Sequence, residues 1–359
     1  MYRLRAWSVA AAVTAAVLSL PTVVAHLPVS DPGVTAGALL AKVRASAAVS
    51  YSGYAESLGT LALPSGRTFT ELTDLFGSQT RLRVWWRGPA DWRVDSLAAA
   101  GEHGAYRDSG GVWMWDFEAD RATRIDEPAY RPPISSDLVP AELGRRLLSE
   151  ATVGELRRIP ALRIAGRTAA GLRMRPAQPD STVDRVDTWI DPASGLPLRV
   201  EIWAKHARQP ALRSSFLDLD VARPDAALTR FVPAAGSRVT GDSEFDLEAL
   251  AAEYGNGAPP ARLIGLPLRR DTSSLGTYGR GPVLLAAVPL PGGLGGRLSD
   301  RLSGAPGALM SKDGRTQSLS VGPLSLLVTT QPDRTWLLTG TVTVAALRRA
   351  AAELTAGTG

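Results

Sequence analysis

Between residues 81 and 220 the sequence consists mainly of short segments in which apolar and polar side chains alternate, with turn residues between them. Arg81–Arg87 (RLRVWWR) ends at a Gly-Pro pair, and Gly101–Arg107 ends at Asp-Ser-Gly-Gly. Alternation with a period of two is typical of a strand with one buried face, and such turns are typical of hairpins. The pattern therefore predicts a large antiparallel sheet, in which one face is buried and the other meets solvent.

The rest of the chain predicts an α+β protein of two domains. Helical spacing of apolar residues predicts helices at Thr35–Val49, ahead of the first strand, and at Ala141–Glu150, between two groups of strands. We expect the large sheet domain at residues 34–240. A stretch with Gly-Asn-Gly and Pro-Pro at 241–260 predicts a linker, which contains a helical piece at residues 245–254. A smaller α+β domain is expected at 261–359.

Residues 1–25 have the order of a secretory signal peptide. A basic start, Met1–Arg5, precedes the apolar run Ala6–Leu20, and Val23 and Ala25 are small residues suited to a cleavage site. The alternative is an uncleaved N-terminal anchor, because Ala6–Val29 is interrupted by only a few polar residues and about 20 apolar residues can span a bilayer. Either interpretation predicts an exported, extracytoplasmic protein. The chain has no cysteine, so its stability cannot depend on disulfides.

The charge of the chain does not indicate nucleic-acid binding. The formal net charge is +5, but two of the positive charges, Arg3 and Arg5, lie in the expected targeting segment. A nucleic-acid binder is expected to carry a basic stripe interleaved with aromatic residues. The sequence shows no such stripe.

The nine tryptophans are the strongest candidates for a binding surface. Trp113 and Trp115 are two residues apart on a predicted strand and therefore share a face. Aromatic side chains on neighbouring strands suit the wall of an apolar cavity. The candidates for that wall are Trp86, Trp92, Trp113, Trp115 and Trp203. The alternative is that these are ordinary sheet-packing residues, since aromatic residues favour strands in any case.

Two segments resemble ligand-binding motifs but lack a glycine that each motif requires. Gly292–Gly296 follows a strand and precedes a helix, as in a dinucleotide-binding loop, but Leu298 stands where the third glycine is required, so we expect a flexible loop. Residues 116–127 carry acidic side chains at calcium-loop spacing, but Arg121 replaces the required glycine, so we expect a solvated hairpin tip. No metal site, cofactor or nucleophile motif is expected. Paired carboxylates of a hydrolase remain possible, because their proximity is spatial.

One block is more specific. Residues 164–203 contain IAGRTAAGLRMRP and, further on, VDTWIDPASGLPLRVEIW. This block resembles the superfamily of the LolA lipoprotein carrier and the RseB/MucB sigma-E regulatory protein. Tyr51–Tyr54, after the first helix, and Phe231–Pro233, after the last strand of the large domain, are similar to the same superfamily. The tail resembles the smaller second domain of RseB.

The resemblance implies an unclosed antiparallel barrel, with helices over its concave side and an apolar cavity. It further implies a non-catalytic protein that binds a lipid or acyl chain, and a partner such as the extracytoplasmic part of an anti-sigma factor or another membrane protein. The expected function is regulation or sensing of the cell envelope. A lipid or lipoprotein carrier and an extracytoplasmic hydrolase are the alternatives.

Overall fold

The large sheet dominates the computed structural model and confirms the predicted unclosed barrel. Its twelve strands lie in the order β12-β6-β5-β4-β3-β2-β1-β11-β10-β9-β8-β7. All neighbours are antiparallel except β12 and β6, which are parallel. In the described part of the chain the two outer strands, β12 and β7, do not pair with each other, so the barrel stays open. The structure describes residues 29–61, 76–98, 101–125, 133–233, 236–241, 259–269, 276–330 and 335–356.

The strands of the large sheet follow the alternating segments of the sequence closely. They are β1 (Tyr51–Gly59), β2 (Gln79–Gly88), β3 (Asp91–Ala98), β4 (Gly101–Asp108), β5 (Gly111–Asp116), β6 (Arg121–Ile125), β7 (Leu156–Ile164), β8 (Arg167–Met174), β9 (Val183–Ile190), β10 (Pro197–Ala204), β11 (Leu212–Asp220) and β12 (Arg238–Gly241). The expected targeting segment at residues 1–25 and the helical piece at 245–254 lie outside the described residues.

Two helices cover one face of this sheet. Helix α1 (Ala36–Ala45) begins at Thr35, whose hydroxyl accepts a hydrogen bond from the Ala38 backbone N–H at 3.3 Å. Helix α2 (Pro140–Leu148) begins with proline, which needs no N–H partner there. A Cβ on Gly144 of α2 would lie 2.6 Å from Pro197, so the glycine permits α2 to lie directly on β10. We call the covered face the inner face and the opposite one the outer face.

The core lies between these helices and the inner face. Leu39 and Val43 of α1 and Leu148 of α2 are fully or almost fully buried in one cluster with residues of ten strands. A third, short helix, α3 (Ala226–Thr229), follows β11 and packs near β2, β3 and β4. Among the described residues, none of the helices combines the length and apolar character that a membrane span requires.

The smaller domain is a six-stranded antiparallel sheet with a helix on each face. The sheet has the order β15-β16-β20-β19-β18-β17, and α4 packs on Val328 while α5 packs on the adjacent Leu327, which faces the other way. Its elements are β13 (Arg262–Leu263), β14 (Leu266–Pro267), β15 (Gly276–Arg280), β16 (Val283–Leu290), α4 (Gly292–Ser303), β17 (Leu309–Met310), β18 (Thr316–Val321), β19 (Leu324–Thr330), β20 (Thr335–Gly340) and α5 (Val344–Ala356).

The glycine-rich stretch is the first turns of α4, and the expectation of a flexible loop is wrong there. A Cβ on Gly295 would lie 2.5 Å from the Thr335 side chain, so at least this glycine is required for the helix to approach β20. The intrinsic preference of glycine against helix is overridden by packing.

The two domains meet at a polar junction. Arg280 forms a bidentate pair with the Glu155 carboxylate, at 2.7 and 3.0 Å. The main chain also bonds across the junction, because the Thr182 N–H donates to the Thr341 carbonyl at 3.0 Å and the Thr343 N–H donates to the Asp180 carbonyl at 2.9 Å. These contacts join the small domain to the loops that precede β7 and β9.

Candidate functional site

A stack of aromatic rings lies on the inner face of β1, β2 and β3. Tyr51 stands opposite Trp86, and Trp86 stands opposite Trp92. The ring centroids of Tyr51 and Trp86 are 6.0 Å apart, and those of Trp86 and Trp92 are 5.7 Å apart with nearly parallel planes. Phe216 of β11 meets Tyr51 edge-on at 5.7 Å. Both tryptophans are at most 5% exposed, so the stack belongs to the core.

Helix α2 places a charged pair against this stack. The Arg145 guanidinium lies 5.7 Å from the Trp86 ring and donates to the Glu142 carboxylate one turn earlier. The Tyr51 hydroxyl points to the same carboxylate at 3.5 Å. The buried Nε1 of Trp86 has no hydrogen-bond partner among the described residues. The inner face therefore holds one buried polar cluster inside an apolar surface.

Burial governs the protonation of this cluster. Desolvation raises the pKa of Glu142 above its ordinary value, although the Arg145 guanidinium opposes the shift. Burial also raises the pKa of Tyr51 well above the ordinary value for a phenol, with the Glu142 charge adding to the effect. Tyr51 thus stays protonated at neutral pH and can act there as a donor.

The inner face continues toward β6 as an apolar surface. Val112 is buried, whereas Met114 on the same strand and Ile125 on β6 are half-buried. Register places all three on the inner face, since Val112 stands opposite Ile125 and Met114 stands opposite Ala105. This arrangement can bind apolar groups by excluding water.

Trp113 and Trp115 lie together on the outer face. They share a face, as their spacing predicts, and the segment after α3 covers them. Phe231 packs on Trp113 at 5.2 Å, on Trp115 at 6.1 Å and on Tyr106 at 5.0 Å between centroids. This covering residue follows Trp115 by more than a hundred positions.

Trp203 also faces outward, far along the sheet on β10. The Arg185 guanidinium of the neighbouring strand lies 3.9 Å from its ring centroid, and its Nε1 donates to Glu201 at 3.3 Å. The five predicted tryptophans are therefore divided between the two faces: Trp86 and Trp92 are brought together inside, and the other three lie outside. Which of them touch a ligand stays a prediction.

Sequence reasoning missed the polar members of the inner-face cluster. Glu142 and Arg145 lie in a helix that was predicted, and their spacing of three residues is that of one helix face. Tyr51 begins the first strand of the predicted sheet. The alternation could have placed Tyr51 on the face of Ala55, but no local signal shows that α2 meets it.

Carboxylates on the outer face are buried under arginines. Asp95 has no exposed side-chain surface, and Arg93 binds both of its oxygens at 2.8 Å. Asp187 is held in the same way by Arg173, at 2.6 and 2.7 Å. These pairs satisfy the carboxylates within the sheet. They provide structure rather than a free reactive group.

Two solved structures share this architecture over almost their entire length. The complex structure of Pseudomonas aeruginosa MucA/MucB aligns with a TM-score of 0.51 and 19% identity, over 88% of this chain and 96% of that chain. MucB in complex with MucA(peri) aligns with a TM-score of 0.50 and 18% identity, over 88% of this chain and 97% of that chain. This chain has the fold of MucB. The fold that the resemblance implies is thereby confirmed in both domains.

No family model and no curated protein matches the sequence. The likeness to MucB is therefore carried by strand order and domain arrangement, and individual side chains cannot be transferred from MucB to this chain.

Proposed function

We propose that the chain is an exported, non-catalytic regulator of the RseB/MucB type, which binds the extracytoplasmic segment of a membrane-anchored anti-sigma factor. The observation that carries this proposal is the alignment of both domains with MucB as it occurs in complexes with MucA. A regulator of this kind needs two surfaces in a fixed relation. The junction of Glu155 with Arg280, together with the main-chain bonds beside it, supplies that relation.

The proposal includes an acyl chain on the inner face. The acyl chain would lie beside Trp92 and extend over the half-buried Met114 and Ile125 toward the open edge of the barrel. Each buried methylene contributes about 0.8 kcal/mol, so a long acyl chain gains about 10 kcal/mol before ordering costs. Such binding requires an apolar surface and no catalytic group.

The partner is tested by calorimetry of the full-length chain with the extracytoplasmic segment of an anti-sigma factor encoded in the same genome. We expect saturable binding of one segment per chain. Glu155→Ala, which removes the ion pair with Arg280 from the junction, should weaken binding. Glu118→Ala, at an exposed hairpin tip, is the matched control and should not. The absence of binding at concentrations on the order of 100 μM would overturn the proposal. Lipid transfer between vesicles without such binding would favour the carrier alternative instead.

The acyl chain is tested with palmitate as the probe. Ile125 and Arg124 are adjacent on β6 but face opposite sides, so Ile125→Gln and Arg124→Gln form a matched pair. We expect Ile125→Gln to weaken palmitate binding several-fold and Arg124→Gln to leave it unchanged. Equal binding by both variants, or none by the unaltered chain, would contradict the lipid part and leave the partner part standing.

A further inference from the structure

A groove of about 440 Å³ lies in the small domain, beside α5. Helix α5 covers the centre of the sheet at Leu327 and Leu338, and the sheet continues past the helix through β18 to the edge strand β17. Leu327 and, on α5, Ala351 form the floor of the groove and are almost fully buried. The groove therefore runs between a helix and the free edge of a sheet.

The edge strand β17, at the rim of this groove, carries unpaired backbone groups along its free edge. The Ser311 N–H donates to the Thr316 carbonyl at 2.8 Å, so Ser311 bonds toward β18. Because backbone groups alternate in an antiparallel pair, the N–H and C=O of the preceding Met310 point away from the sheet. Leu309 and Met310 are 62% and 58% exposed. An exposed apolar edge of this kind is a template for another strand.

The rim of the groove is cationic. Lys312 and Arg348 both line it and are exposed, and neither pairs with a carboxylate of the described residues. The acidic residue beside them, Asp313, is engaged at the hairpin turn by the Ser311 hydroxyl and the Arg315 N–H. By contrast, the neighbouring Arg349 of α5 is bound to Asp180 of the large domain at 2.6 Å.

We propose that this groove binds an extended, acidic segment of a partner protein, which adds a strand to β17. Main-chain bonds to Met310 would hold the strand, as in other cases of strand addition. Alternate side chains of the added strand point the same way, so its acidic ones lie on the α5 side, beside Lys312 and Arg348, and its apolar ones lie on the opposite side. The inference goes beyond the proposed function and does not rest on it, since it requires only a segment of this chemistry.

The test uses the full-length chain and a fluorescein-labelled peptide of about eight alternating Glu and Val residues, with binding followed by fluorescence anisotropy. The double variant Lys312→Glu/Arg348→Glu should lower the affinity about ten-fold or more and should prefer a Lys-Val peptide. The matched control is Arg297→Glu/Arg301→Glu, which makes the same charge change on α4, on the other face of the sheet. It should alter the affinity by no more than about two-fold.

A third variant tests the strand itself. Met310→Pro removes the outward N–H and leaves the bonds of Leu309 and Ser311 to β18 in place, and edge strands tolerate proline. We expect it to lower the affinity of the Glu-Val peptide about ten-fold. The proposal is overturned if the unaltered chain does not bind this peptide, if the control pair weakens binding as much as the groove pair, or if Met310→Pro binds as well as the unaltered chain.

Discussion

The two faces of the large sheet exclude water by different means, and adjacent residues of β2 show the contrast most directly. Trp86 lies on the inner face between two other aromatic rings and is 3% exposed. Trp85, its neighbour in sequence, lies half-buried on the outer face under the Arg93 guanidinium, 4.9 Å from the ring centroid. The same side chain is therefore a core residue in one position and a platform for a cation in the next. The face, and not the residue type, decides the role.

On the outer face arginine side chains shield other side chains from solvent, as apolar packing does on the inner face. Asp95 and Asp187 are shielded from solvent because guanidinium groups bind their oxygens. Arginine suits this task, since its planar fork binds a carboxylate through two bonds. Of the 40 basic residues of the chain, 37 are arginine. The high arginine content of the chain thus helps to shield buried carboxylates on the outer face.

The largest difference between the two faces is expected between Trp86→Ala and Trp85→Ala. Removing Trp86 leaves a cavity in the ring stack, and we expect the free energy of unfolding to fall by about 3–5 kcal/mol. Removing Trp85 loses one half-buried ring and its cation contact, and we expect about 1 kcal/mol. Urea unfolding followed by circular dichroism measures both. Equal losses would show that the two faces are not energetically distinct.

The next effect concerns a shielded carboxylate. Asp95→Ala leaves Arg93 without its partner in a half-buried position, and we expect a loss of about 3 kcal/mol in unfolding free energy. Asp91→Ala is the control, because its ion pair with Arg87 is more exposed, with 39% of the Asp91 side chain accessible. For this variant we expect a loss of about 0–1 kcal/mol. If Asp95→Ala costs no more than Asp91→Ala, arginine does not replace apolar cover on the outer face.

A smaller effect on stability is expected from the Glu155 carboxylate at the domain junction. Burial alone would raise the pKa of Glu155, but Arg280, the N–H and hydroxyl of Thr152 and the Ala177 N–H lower it to about 2. Because this pKa lies below the ordinary 4.5, the Glu155 contribution to stability is present above about pH 4.5 and is lost as the pH falls toward 2. Glu155→Gln should therefore lower the unfolding free energy at neutral pH by about 1–2 kcal/mol.

Urea titrations of the unaltered chain and of Glu155→Gln across this pH range provide the measurement. The difference between the two proteins should shrink as the pH falls below 4.5. Glu118→Gln, at an exposed hairpin tip, serves as the control and should show no such difference. If the difference in unfolding free energy stays constant down to pH 2, Glu155 is not a charged partner of Arg280.

The smallest effect is at Trp203. A double-mutant cycle with Arg185→Met and Trp203→Leu isolates the contact between the guanidinium and the ring, and we expect a coupling energy of about 0.5–1 kcal/mol. A coupling near zero would assign the outward position of Trp203 to its bond with Glu201 alone.

Local pattern predicted the strands, the hairpins and the pairing of Trp113 with Trp115 on one face, because strand periodicity is a property of neighbouring residues. It could not predict which face is covered, because that depends on residues far along the chain. Phe231 covers the outer tryptophans, and α2 brings Glu142 and Arg145 to the inner ones. The helical start at Gly292–Gly296 was missed for the same reason, since its contact is with Thr335 on a distant strand.

Glu155 has a mechanical consequence. It closes the turn at Thr152, directly precedes β7 and holds Arg280 of the small domain. Strand β7 is an outer strand of the open barrel, bonded to a neighbour on one side. A displacement of the small domain therefore acts on this outer strand through Glu155 and on the start of β9 through Asp180 and Thr182. The junction thus couples the position of the small domain to the rim of the barrel.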